Sequence, residues 1–405
     1  MLTKLSQKIG IKEELFHGYM GLILFSLGMG IEISWFSSFL EGDGFNLKFI
    51  SLIFSLYGFA TFIFSYLSSF MVNKFSGGKI MFAGVVVYLL SASLLIIGIM
   101  YREYNLIAFS YFLRGASFPL FANSFLVLIT LKTDLKHLGK ATAYFFLCSN
   151  LGMNIIAPVL SSNLLSSLSA IDIFMIGAVI SVFGGIIALG FSKKDIFIGK
   201  KDEKILANIA TGITILFKNK RLIAAVVVLI INNMGRFGFI IIMPIFLLQR
   251  GFSLEQWGSI WAITYIVNSL AGIGFGHLGD KYGLRKIAMY FSGTITALSC
   301  VLIYIFCQYF YGNVFLLGLA FSIFAIGIAA FGPISALIPA MLSDNKPIAV
   351  SIINLGSGLS GFVGSLFAGA IFEKFGGNVL LISLAIIYLF ASLLISVLKT
   401  KEELV

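Results

Sequence analysis

Runs of apolar residues broken by short polar segments dominate this chain. The runs lie near 19–40, 50–71, 79–100, 105–130, 141–163, 170–191, 222–248, 257–278, 286–308, 313–341, 349–371 and 378–397. Each is close to the roughly 20 residues that a helix needs to cross a hydrocarbon core of about 30 Å. Twelve such runs predict an all-α membrane protein with twelve transmembrane helices. The longest polar stretch, SKKDIFIGKKDEKILANIATGITILFKNKR at 192–221, parts the runs six and six. It predicts an N-terminal six-helix bundle over 1–191, a cytoplasmic linker over 192–221 and a C-terminal six-helix bundle over 222–405. Within the linker, 205–217 has the pattern of an amphipathic helix lying on the membrane surface.

Composition agrees with this pattern. Of 405 residues, 59% are hydrophobic and 11% charged, against roughly 25% charged in soluble domains. The net charge of +11 raises the question of an anionic partner such as nucleic acid. Its placement answers it, because 22 of the 28 Lys and Arg fall on the side that holds both termini. Only Lys48, Arg102, Arg250 and Lys374 fall on the opposite side, and Arg114 and Arg236 lie inside spans. That bias puts both termini in the cytoplasm of a cell (plasma or inner) membrane and leaves no charge for nucleic acid to explain. The first residues form a polar amphiphile leading into a full-length span, so no cleaved signal is expected.

Several chemistries are excluded by what the motifs lack. Cys148, Cys300 and Cys307 sit within spans and form no CxxC or Cys/His cluster, so neither a disulfide nor a metal site is expected. GSGLSG at 356–361 matches GxGxxG but lies inside an apolar span, where small residues serve close helix packing. No Walker, HExxH or GxSxG sequence is found, which argues against a membrane enzyme, ATP-driven transport by this chain, and a cofactor.

The two halves echo each other. GFNL at 44 and GFSL at 251 share an offset of 207 with NKFSGGKI at 73 and DKYGLRKI at 280, which suggests duplication. GHLGDKYGLRK at 276–286 resembles the signature of the major facilitator superfamily, whose fold is two six-helix bundles around a midplane site. In this loop Asp280 can pair with Lys281, Arg285 or Lys286 across cytoplasmic helix ends as a gating network, although positive-inside topology alone also accounts for the bases. The matching acid in the first half is replaced by Asn73.

Four charges lie within spans: Glu32, Arg114, Arg236 and, at an outer edge, Asp172. A charge at mid-bilayer costs about 2.5–3.5 kcal/mol even on lenient scales, so it calls for a partner or a wet cavity. Counting 1.5 Å per residue, Glu32 lies about 12 Å and Arg114 about 14 Å below the outer ends of the first and fourth spans. In the superfamily the first, fourth, seventh and tenth helices line the cavity, so the resemblance implies a Glu32–Arg114 pair with Arg236 entering from the other half. Glu32 then either couples protons or binds substrate, or it forms a static ion pair. Helical spacing adds Asn232 and Asn233 beside Arg236, and Trp35 beside Glu32. Asn123, nine residues from Arg114, joins that face only through a kink at Pro119. Trp261, Thr264, Tyr265 and Asn268 share one face, as do Asn150 and Asn154, and both sets suit either packing or ligand.

GYMGLILFSLGMGIEISWFSSFL at 18–40, LRGASFPLFANSFLVLI at 113–129 and HLGKATAYFFL at 137 resemble the polyol permease family of ribitol and arabinitol permeases. That resemblance marks Glu32, Trp35, Arg114, Pro119, Asn123 and Ser124 as lying in characteristic segments. The chain departs from it at Met29, where family members tend to carry an Asp. The expectation is a secondary transporter importing a polyol or similar polyhydroxylated metabolite by proton symport with alternating access. Its partners would be a small-molecule substrate, protons and the lipid bilayer, and a monomer is expected. The first alternative is an organic-anion (carboxylate) permease, because Glu32, Arg114 and Arg236 together carry +1 and arginine suits a carboxylate. A drug or metabolite exporter follows.

Overall fold

The computed structural model describes residues 13–133, 135–190, 214–342 and 346–398. Residues 205–213 of the expected surface helix and most of the linker lie outside them, as does the side chain of Asn73, while 214–218 are helical. Every regular element among the described residues is helical, and ten of the helices are long and apolar enough to cross a membrane.

Two departures from the run pattern concern the first span and the last two. The first is not continuous: α1 (Glu13–Gly30) stops, residues 31–35 form turns, and α2 (Phe36–Gly42) resumes. Trp35, at φ −144°, opens α2, and serine hydroxyls on either side of it bond to backbone carbonyls. Ser38 donates to the Trp35 carbonyl at 2.7 Å, and Ser34 donates to the Pro158 carbonyl at 3.2 Å. The last two runs form one helix, Lys346–Ile395, broken at Gly376 (φ 80°, ψ 173°), a conformation open to glycine.

Between these come α3 (Leu47–Phe75), α4 (Gly77–Tyr101), α5 (Tyr104–Lys132), α6 (His137–Leu164), α7 (Ala170–Gly190), α8 (Lys220–Leu248), α9 (Leu254–Tyr282), α10 (Leu284–Tyr309) and α11 (Val314–Met341); α12 is the long Lys346–Ile395 helix. α5 and α6 each contain a π-helical turn, Pro119–Asn123 and Leu151–Ile156. The first begins on a proline, which has no N–H to give the helical ladder.

The burial pattern is that of a protein in lipid. Large apolar side chains such as Phe315 and Leu393 point outward, while serines including Ser117, Ser161 and Ser181 are buried between helices. Glycines set the closest approaches. A methyl at Gly84 would lie 2.7 Å from the Phe121 nitrogen, and one at Gly364 2.8 Å from the Met234 carbonyl oxygen. The small residues of GSGLSG act likewise: a methyl at Gly356 would lie 2.8 Å from Leu229 Cβ.

By contacts the chain forms two compact units, Met1–Ser34 with Phe59–Glu203, and Trp35–Gly58 with Lys204–Val405. The C-terminal end of the first span and the first part of α3 therefore belong with the second unit. Within it Gly58 lies against the Gly361 backbone, Ser51 against Gly369, and Lys48 pairs with Glu373 at 3.5 Å.

Candidate functional site

In the first unit, the turn after α1 carries Glu32 into contact with α5. Arg114 Nε lies 2.7 Å from Glu32 Oε1, and the two side chains are 1% and 5% exposed. Tyr111, three residues before Arg114 on the same helix face, donates to the same carboxylate oxygen at 2.8 Å. The guanidinium also lies over the Tyr88 ring at 4.8 Å and donates to its hydroxyl at 3.3 Å. Tyr88 in turn donates to the Gly28 carbonyl at 2.9 Å, tying α4 to α1. Glu32 Oε2 is buried with no hydrogen-bond partner among the described residues. Met29 is buried and takes a contact from Ser117 Oγ at 3.5 Å.

The second unit holds a different arrangement. Arg236 on α8 lies over the Tyr265 ring at 5.0 Å and over Phe237 at 5.9 Å, and among the described residues it makes no ion pair. A small cavity of about 20 Å³ is lined by Arg236 with Trp261, Thr264, Tyr265 and Asn268, room for roughly one water. The face shared by those four α9 residues is thus turned toward Arg236. Among the described residues Trp261 Nε1, Tyr265 Oη, Arg236 Nε and Asn232 Oδ1 are all buried without hydrogen-bond partners. Asn268 donates to the Ala325 carbonyl at 3.0 Å, and Thr264 to that of Ile260 at 2.7 Å. One turn of α8 is held by Tyr388, whose hydroxyl accepts from Gly235 N–H at 3.2 Å and donates to the Asn232 carbonyl at 3.3 Å.

Other expected site residues are placed differently. Trp35 is fully buried against Phe36 and Phe39, and because 31–35 is not helical the spacing that put it beside Glu32 does not apply. Asn123 ends the π-helical turn after Pro119 and is partly buried. Asn233 makes only a long 3.5 Å bond to the Leu229 carbonyl. Asn154 donates to Asn150 at 2.9 Å, so that pair is spent on itself.

The network expected at Asp280 is not formed in this structure. Asp280 is exposed and makes no ion pair among the described residues. Lys281 is its chain neighbour, which a helix points elsewhere, and it lies over the Tyr282 ring at 5.1 Å. Lys286 is exposed, and only Arg285 reaches another element, donating to the Ser396 carbonyl at 3.1 Å. Tyr88, Tyr111 and Tyr388 were not legible as site residues, since aromatic side chains are common throughout the spans; the three-residue spacing of Tyr111 from Arg114 is the one signal that could have marked one of them.

A discontinuous first helix with a buried carboxylate, and a second unit with an acid-free arginine cluster, describe a membrane carrier with polar groups set inside apolar bundles. The pattern of the Major Facilitator Superfamily matches residues 18–276 and 232–404, and the chain belongs to that superfamily. It is a multi-pass membrane transporter of small molecules and not an enzyme. An alpha-ketoglutarate permease of Bacillus subtilis (strain 168) is 32% identical over 398 residues, 98% of this chain and 92% of the relative. A D-arabinitol transporter of Klebsiella pneumoniae is 27% identical over 405 residues, 98% of this chain and 95% of the relative, in keeping with the polyol permease resemblance. Among solved structures, a POT family transporter in complex with 5-aminolevulinic acid superposes with a TM-score of 0.72 at 15% identity, covering 96% of each chain, which shows the shared fold.

Proposed function

We propose that this transporter carries a small organic carboxylate by alternating access, with Arg236 as the residue that receives the anion. The observation that carries this reading is the acid-free cluster on α8 and α9. Arg236, Trp261 and Tyr265 offer N–H and O–H donors, and none of them is used up by a carboxylate. A carboxylate accepts hydrogen bonds and donates none, so a donor-rich cluster with an uncompensated guanidinium matches it in charge and in kind. The likeness to an alpha-ketoglutarate permease adds support. In the first unit Arg114 is already neutralised by Glu32, so the two halves contribute unequally.

Glu32 serves as the proton-coupling group in this reading. Its buried Oε2 is free to take a proton, and protonation would loosen its hold on Arg114 and Tyr111. The interrupted first span and the break at Gly376 make the ten long helices compatible with twelve crossings in two six-helix bundles, with both termini cytoplasmic. Asn232, Asn233 and Asn123 act as secondary polar contacts, and Asp280, Lys281, Arg285 and Lys286 as a cytoplasmic gate that forms in another state of the cycle.

A second reading, import of a polyol by proton symport, is favoured by Asn232 Oδ1, an unpartnered acceptor that a hydroxyl can serve, and by the D-arabinitol relative. Proteoliposome uptake separates the two. Radiolabelled alpha-ketoglutarate should accumulate under an inward proton gradient and be competed by succinate, with ribitol and D-arabinitol without effect. Competition by the polyols alone would reverse the order of the readings. Glu32→Gln should abolish accumulation while leaving exchange; intact, pH-dependent accumulation in that variant would end the coupling role.

A further inference from the structure

Arg250 is one of four basic residues that the charge bias leaves on the outer side, and nothing above uses it. It follows the outer end of α8, where the chain turns at Gly251 (φ 76°). Its guanidinium carbon lies 3.6 Å from the centroid of the Phe246 ring. Nη2 donates to Asn378 Oδ1 at 3.1 Å, and Asn378 Nδ2 donates to Gln308 Oε1 at 3.1 Å. A ring and two neutral amides therefore fix the guanidinium, and none of them neutralises it.

Glu373, three residues before the break at Gly376, is paired with Lys48 at 3.5 Å. Arg250 itself makes no ion pair among the described residues, and its Nε is buried with no hydrogen-bond partner. The break in α12 at Gly376 brings Gly377 against the Phe246 ring with no side chain to fill the space. Beside them lies a cavity of about 320 Å³ lined by Phe246, Gln249, Arg250, Phe372, Phe375 and Asn378. That volume falls within the roughly 300–1,000 Å³ of small-molecule sites.

We propose that this cavity is an outer carboxylate site, in which Arg250, oriented by Asn378 and Phe246, captures the anionic substrate from the outside. The inference rests on the carboxylate reading above. Arginine stacked on a ring and held by an amide is preorganised for forked contact with an oxyanion, which a lysine would meet only as a point charge. The aromatic lining suits the carbon body of an organic acid better than a bare inorganic ion. The same oxyanion chemistry is offered by a lipid phosphate, and the test separates the two sources.

The test is homoexchange in proteoliposomes of the full chain, using alpha-ketoglutarate or whichever of succinate, citrate and lactate the wild type carries best. Arg250→Gln should raise the external half-saturation concentration about tenfold, with the maximal exchange rate within twofold and the internal half-saturation unchanged. Arg250→Lys, which keeps the charge, should show the same external shift in reduced form, and Asn378→Ala a smaller one. Unchanged external half-saturation in the two arginine variants, or equal shifts on both sides, would overturn the proposal. It would also be overturned if Arg250→Gln altered only the difference in rate between phosphatidylcholine vesicles and vesicles containing phosphatidylglycerol, which would make the ligand a lipid headgroup. A wild type that carries none of these acids overturns the carboxylate reading, and this site with it; acid flux with unshifted variants overturns this site alone.

Discussion

The Glu32–Arg114 contact is a buried ion pair, joined by Tyr111 at the carboxylate and Tyr88 at the guanidinium. Removing one member of such a pair leaves the other uncompensated, at a cost of about 3–5 kcal/mol. Arg114→Met should therefore lower thermal stability in detergent by an amount in that range, and the double variant Glu32→Gln/Arg114→Met by clearly less than the sum of the singles. Additive losses in a double-mutant cycle would mean that the two residues are energetically independent. Tyr388 is a second test at this scale, because its hydroxyl bridges two backbone groups of α8 next to Arg236. Tyr388→Phe should cost about 1 kcal/mol of stability and weaken substrate affinity through Arg236, with maximal rate little changed. The deep charges were legible in sequence because a carboxylate and two arginines in spans demand an explanation. Their aromatic partners were not, because one tyrosine among 15, and 42 phenylalanines, carries no mark of its own.

At the scale of elements, hydropathy revealed the spans because burial in lipid requires long apolar runs. It could not reveal the break at 31–35, since one carboxylate and one serine in IEISW do not by themselves end a helix inside an apolar run. The repeat is supported by backbone geometry that no hydropathy pattern contains. Gly44 and Gly251 have φ of 90° and 76°, and Ser76 and Gly283 have φ of 88° and 98°. Each pair is separated by the same offset as the repeated motifs. Ser76 thus occupies a turn that its counterpart meets with glycine, in a region costing a side chain about 1–3 kcal/mol. Ser76→Gly should raise the melting temperature, whereas Gly283→Ala should lower it, both read by thermal unfolding of purified protein. A fall with Ser76→Gly would mean that the serine side chain stabilises more than its backbone strain costs.

The whole molecule is divided unevenly by its own chain. The charge run at 192–221 predicts a partition at the linker, whereas the assignment of Trp35–Gly58 to the second unit has no mark in the sequence. That assignment is accompanied by glycine contacts and an ion pair between residues far apart in sequence. The polypeptide passes between units at 34/35, 58/59 and 203/204, so cutting it at the last of these does not separate what the first two interleave. A segment lent by one half to the other works as a swapped arm. Residues 1–203 and 204–405 produced as separate polypeptides should therefore co-purify and recover transport, and Gly58→Leu, which thrusts a side chain into the Gly361 backbone, should abolish that complementation. The loan of that arm predicts, in genetic terms, two gene halves that can be encoded apart but must be expressed together.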